Sequence, residues 1–246
     1  MVLPNIDILN GITGLEIIVS GYLLGFILIF KHARRAPTVE LKKKIILRGI
    51  GLIAVYHSWF GVSASFFLMI FGLPPLGYPD GNPNIGVLGY AWGPALGTVI
   101  WTYIAAEFYK EGRYKIPITG FIAIFAIIFA ILIYGDPVHT TSWEASPGGL
   151  PNTGISGAAM ALLALMLVIM MIFLGPSIMN SGRKMDDKSL KWKRYSLGGG
   201  LTILSFFGII DAALGAEDLG LIGLAMVKAF IFTSIFLIYE GVDKGI

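Results

Sequence analysis

The sequence contains no cysteine. Disulfides, thiolate metal centres and cysteine nucleophiles are therefore excluded. Charge is also scarce. Asp, Glu, Lys and Arg make up 13% of the 246 residues, about half the share in a soluble domain. The three histidines, His32, His57 and His139, fall at three different levels of the apolar pattern, so they do not make a metal site together. No phosphate-cradling loop, redox motif or long linker is present. What fills the chain instead is apolar: 56% hydrophobic residues and a mean hydropathy of +0.79. A chain this apolar cannot hide its surface from water in one globule, so its solvent is lipid.

A spanning helix needs about 20 mostly apolar residues. Seven stretches meet that length: 9–30, 47–73, 87–108, 117–135, 153–179, 196–215 and 219–239. They lack the period-2 alternation of a membrane barrel strand, and in lipid an unpaired backbone must bond within its own segment. The expected fold is thus all-α, a single polytopic domain over 1–246 with seven transmembrane helices. Turn signals separate the spans, at Pro74-Pro75, Gly77 to Pro83, Gly135-Asp136-Pro137 and Ser146 to Pro151. The first span carries Asp7 ahead of it and Lys31, Arg34 and Arg35 behind it, which predicts a retained helix rather than a cleaved signal peptide.

The loops set the orientation. Residues 31–48, 110–115 and 183–194, with Lys244 in the tail, hold 17 of the 18 Lys and Arg. The opposite loops hold Asp7, Asp80, Asp136, Glu144, Glu217 and Asp218 and no basic residue. The positive-inside rule then predicts the N-terminus outside and the C-terminus inside, in the cell membrane of a prokaryote. The net charge of +3 lies in these short loops and does not form a nucleic-acid patch. Tyr78, Tyr109, Tyr114, Tyr134, Trp143, Trp192 and Tyr195 read as interfacial anchors.

The remaining cation is Lys228, ten residues beyond Asp218 in the last span, about 15 Å deep at a helical rise. A charged lysine at that depth costs at least about 2.5–3.5 kcal/mol. It has to be neutral, paired, hydrated or modified. The bland alternative is a lysine bonded to backbone carbonyls of a kinked neighbour. Few polar groups share its depth. Glu16, His57 and Asp211 are the candidates, and a ring-like order of helices would let Glu16 and His57 converge on Lys228 with Asp211 reaching in from the sixth span.

Seven spans, an outside N-terminus and a lysine centred in the last helix resemble the microbial rhodopsins. That resemblance implies Lys228 as the attachment point of retinal, with Trp92, Phe206 and Phe207 around it. It departs in the third span, Tyr90-Ala91-Trp92-Gly93-Pro94-Ala95-Leu96-Gly97-Thr98, which has no acid before Glu107. The counterion would then be Glu16 or Asp211. A second likeness, Gly154-Ile155-Ser156-Gly157, is similar to the Gly-x-Ser-Gly of rhomboid proteases, but the matching later helix offers no histidine base. Small residues for packing explain it as well, as they explain Gly21 and Gly25, the ridge Gly89, Gly93 and Gly97, and Gly198 to Gly200.

The expectation is a receptor-like or retinal-protein-like membrane protein, leaning away from an enzyme, with a polar intramembrane site centred on Lys228. Two alternatives stand beside it. One is a sensor or complex subunit acting through partner proteins at residues 31–48 and 181–195. The other is a small proton- or ion-conducting transporter using Glu16, His57, Asp211 and Lys228. A homo-oligomer stays open.

Overall fold

A computed structural model of the chain describes residues 5–76, 88–140, 144–146, 149–152 and 154–242. The turn expected at Gly77 to Pro83, with Tyr78 and Asp80, and also Trp143 and Lys244, lie outside the described residues.

The fold is all-α with one small hairpin. In chain order the helices are α1 (Asn5–Phe26), α2 (Val39–Tyr56), α3 (Phe60–Ile70), α4 (Leu88–Ala105), α5 (Lys115–Gly135), α6 (Pro137–Thr140), α7 (Gly157–Ile169), α8 (Gly175–Arg183), α9 (Lys188–Ala213) and α10 (Ala216–Gly241). The strands β1 (Glu144–Ser146) and β2 (Gly149–Asn152) pair antiparallel. Some of these helices join end to end. A π turn at Ile27–His32 carries α1 onward, a 3-10 turn at His57–Trp59 links α2 to α3, and a π turn at Met170–Leu174 links α7 to α8.

Six of the resulting rods are long and apolar enough to cross a membrane: Asn5–Arg35, Val39–Ile70, Lys115–Gly135, Gly157–Arg183, Lys188–Ala213 and Ala216–Gly241. The outward faces are apolar as well. Val19 is 59% exposed, Ile124 58% and Ile222 77%, a surface suited to lipid and not to water. The chain is an integral membrane protein by this measure. The helix α4, the third stretch of the sequence pattern, is not among the six. Its glycines and Pro94 dilute its hydropathy, and it is a packing helix, wedged between α2 and α5.

Several helices start earlier than the apolar runs. Thr38 caps α2 by accepting from the Leu41 N–H at 3.2 Å, and Asp187 caps α9 by accepting from Ser189 and Leu190. These caps satisfy first-turn donors that the helix itself leaves unpaired, so the basic stretches behind them are helical.

Each long helix packs on the next, and α10 returns to α1. The ring is therefore closed. Glycines set the closest approaches. A Cβ on Gly25 would lie 2.8 Å from the Gly49 carbonyl oxygen, and one on Gly198 2.6 Å from that of Gly175. A Cβ on Gly93 would meet the Ser58 backbone nitrogen at 2.6 Å. The α1–α2, α8–α9 and α2–α4 contacts are thus backbone-close, the arrangement small residues permit in membranes. The main core runs along α1, α2, α4, α9 and α10, with Tyr56, Trp101 and Ile235 fully buried. A second cluster joins α4, α5 and α7 around Phe129 and Met166.

Candidate functional site

Three elements build a polar centre inside this bundle. On α9, Asp211 sits two residues before the helix ends at Ala213. On α10, Lys228 lies eight residues beyond Gly220, where a left-handed backbone (φ 64°) breaks the helix. From the 3-10 turn between α2 and α3 comes Trp59. That turn packs under the glycine ridge of α4: a Cβ on Gly89 would stand 2.7 Å from the His57 carbonyl oxygen. A side chain there would push the turn away. The ridge thus fixes where Trp59 points.

The Lys228 ammonium donates to both carboxylate oxygens of Asp211, at 2.7 and 3.0 Å. The Trp59 indole N–H donates to the same carboxylate at 2.9 Å. The ammonium also lies 5.7 Å from the Trp59 ring centroid, within cation–π range. Lys228 is 4% exposed and the Asp211 side chain 16%. Behind Trp59, Tyr56 stacks on it at 6.1 Å and bonds Ser234 of α10 at 3.0 Å. The carboxylate thus accepts three charge-assisted or strong donors, which is what a buried anion requires.

The Lys228 amine is paired, one of the ways a cation in an apolar span can be accommodated. Its stem runs back toward the acid-rich end and finds its partner near the last turn of α9. The nitrogen nevertheless stays inside protein.

Asp211 joins Lys228 as the sequence allowed, but two expected neighbours do not. Glu16 is on the exposed face of α1, turned away from the bundle. His57 bonds the Tyr22 hydroxyl and stacks on Phe60 at 5.0 Å. The expected convergence of Glu16 and His57 on Lys228 fails because Glu16 is on the outward face of α1 and because the 3-10 turn sends His57 toward Tyr22 while Trp59 meets Asp211. The aromatic set separates too. Trp92 is 55% exposed and packs edge-on to Tyr134, and Phe206 is 48% exposed. Phe207 stacks on Phe230 at 4.3 Å. None of these three lines the cavities beside Lys228 and Asp211. Trp59 is a member of the centre that the hydropathy pattern does not single out. The available signal is an N–H donor two residues from His57 in an apolar span, a group that needs an acceptor when buried.

Two hollows flank the centre. One, of about 10 Å³, touches Lys228, Asp211, Trp59, Asn10 and Ser58 and is bounded toward the acid-rich end by Leu214 and Ala216. It has room for a single water at most. The other, of about 60 Å³, is an apolar cleft between α2, α4, α7 and α9, with Trp59 and Asp211 in its wall and Leu163, Leu167 and Met170 across from them. By the same measure it has room for several waters.

The Gly-x-Ser-Gly segment has a structural task. Ser156 donates to the His139 carbonyl oxygen at 3.0 Å, while the exposed His139 imidazole bonds Asp136 at 2.7 Å. The serine hydroxyl is thus turned to backbone and not to an imidazole base. Among the described residues no group of three His, Asp or Glu could hold a metal ion.

No protein-family model, curated protein or solved structure matches this chain. The functional reading therefore rests on the geometry above.

Proposed function

We propose that the chain is a receptor-like seven-helix integral membrane protein, N-terminus outside and C-terminus inside, that responds through the Lys228–Asp211–Trp59 centre. The observation that carries the reading is a buried ion pair joining α9 to α10 at the edge of an apolar cleft. Intramembrane ionisable pairs are costly and mark functional sites. A ligand entering the cleft would touch Trp59 and Asp211 directly, and anything that competes for the carboxylate would unlock two neighbouring helices. The α4 helix supports the seventh span, and the one-sided placement of basic loops supports the orientation.

Retinal is the cofactor that the rhodopsin likeness suggests. Lys228 offers the primary amine that would hold it, and Asp211 the counter-charge. The cleft is narrow, about 60 Å³, and neither Trp92 nor Phe206 is in its wall, so retinal would enter only if the wall of α7 and α9 opened. The proton-relay alternative is weakened because neither Glu16 nor His57 reaches Lys228.

The test is addition of all-trans retinal to the purified full chain and to Lys228→Ala. Because the cleft is small, no Lys228-dependent visible band is expected. A band present in wild type and lost in Lys228→Ala would overturn the volume argument and make the chain a retinal protein.

A further inference from the structure

At the basic end of the bundle, away from Lys228, two cavities meet at one side chain, Tyr109. The first, of about 840 Å³, lies between the connection that joins α4 to α5 and the helix α8. Lys110, Arg113 and Lys184 give it three cations and Glu107 one carboxylate. Glu107 is already engaged by Lys115 at 2.7 Å and Lys44 at 3.6 Å, so the wall is net positive. Two of these cations lie over rings. The Lys110 ammonium is 5.4 Å from the Tyr114 centroid and 5.7 Å from that of Tyr109, and the Arg113 guanidinium is 5.8 Å from Tyr114. Lys110 adopts a left-handed backbone (φ 43°), a conformation uncommon for a residue with a Cβ. It turns the loop over the hollow.

The second cavity is a groove of about 350 Å³ between α5 and the α7–α8 rod. Its walls are Pro117, Ile118, Phe121, Ile169, Phe173 and Leu174. The π turn Met170–Leu174 forms one side. Such a turn holds one residue more than an α turn and often marks functional sites. Phe121 and Phe173 are about half exposed, at 50% and 54%.

An apolar groove that shares Tyr109 with a cationic hollow, at the basic end of the bundle, suits one amphiphile. We propose that this composite site holds an anionic glycerophospholipid, its phosphate against Lys110, Arg113 and Lys184 and one acyl chain along Ile118 and Phe173. A soluble anion would leave the groove empty, and a zwitterionic lipid would bring no net charge to the cations. Basic pockets between spanning helices suit anionic headgroups. This inference rests on membrane insertion and not on the role of Lys228.

The experiment is native mass spectrometry of the full chain in detergent, titrated with phosphatidylglycerol or phosphatidylcholine of the same chains. Phosphatidylglycerol is expected to bind about tenfold more tightly. Lys110→Gln/Arg113→Gln/Lys184→Gln is expected to lose that preference. Ile118→Trp, which fills the groove and leaves the charges, is expected to weaken the same lipid. Arg34→Gln/Lys42→Gln/Lys43→Gln, with equal charge removed from another basic loop, is expected to bind as wild type. Equal loss in that control would mean diffuse electrostatics and overturn the site. Competition by inorganic phosphate, with Ile118→Trp binding as wild type, would make it a free-phosphate site and overturn the lipid. Circular dichroism checks folding, and if the triple variant fails to fold, Ile118→Trp with phosphate competition decides.

Discussion

Breaking the Lys228–Asp211 pair from both sides should destabilise the bundle by much less than the sum of breaking it from each side alone. Lys228 is 4% exposed, and its amine lies 2.7 Å from Asp211. Removing one charge leaves the other desolvated and unpaired, at a cost of about 3–5 kcal/mol. Asp211→Asn keeps the shape and an acceptor for Trp59, while Lys228→Met keeps most of the stem. Each single substitution is expected in that range, a fall in unfolding midpoint of roughly 6–20 °C for a domain of this size. The double variant has no orphaned charge, so it should be less destabilised than the sum of the singles, with a coupling of at least about 2 kcal/mol. Equilibrium unfolding in mixed micelles, followed by tryptophan fluorescence on all four proteins, measures the cycle. Single costs below about 1 kcal/mol, the value for an exposed pair, or simple additivity, would refute the reasoning: the amine would then be solvated and the pair incidental.

Two further outcomes follow from the same geometry. Trp59→Phe removes a donor to a charged acceptor at 2.9 Å and should cost about 1.5–3 kcal/mol, while Trp192→Phe, at a position 63% exposed, should stay within about 0.5 kcal/mol; equal effects in the same unfolding assay would count against an anchoring role for Trp59. Gly93→Ala forces a Cβ to 2.6 Å from the Ser58 backbone and is expected to lower the midpoint and weaken the α2–α4 contact, whereas Gly120→Ala, with nothing within 4 Å, should raise stability by up to about 1 kcal/mol. A neutral Gly93→Ala would mean that the ridge does not position Trp59.

The helices and their membrane setting were legible in the sequence because both depend on local composition. A run of about 20 apolar residues has to bond its own backbone in lipid whatever surrounds it. The run 117–135 is α5 almost residue for residue. Lys228 stood out for the same reason, as a lone cation in an apolar run. Element ends were less legible: α2 and α9 reach back into basic stretches because Thr38 and Asp187 cap them, and capping does not register in hydropathy.

What only the tertiary structure decided is which side of each helix faces inward. Glu16 and Asp211 are both acids in apolar spans, yet one faces outward and the other holds Lys228. His57 and Trp59 are two residues apart, yet only Trp59 reaches the centre. That choice rests on a 3-10 turn shaped by the glycines of α4 and on a helix break at Gly220. Rotation about a helix axis is fixed by contacts between segments far apart in the chain. A local pattern sets how deep a side chain sits, but the neighbouring helices set where it points.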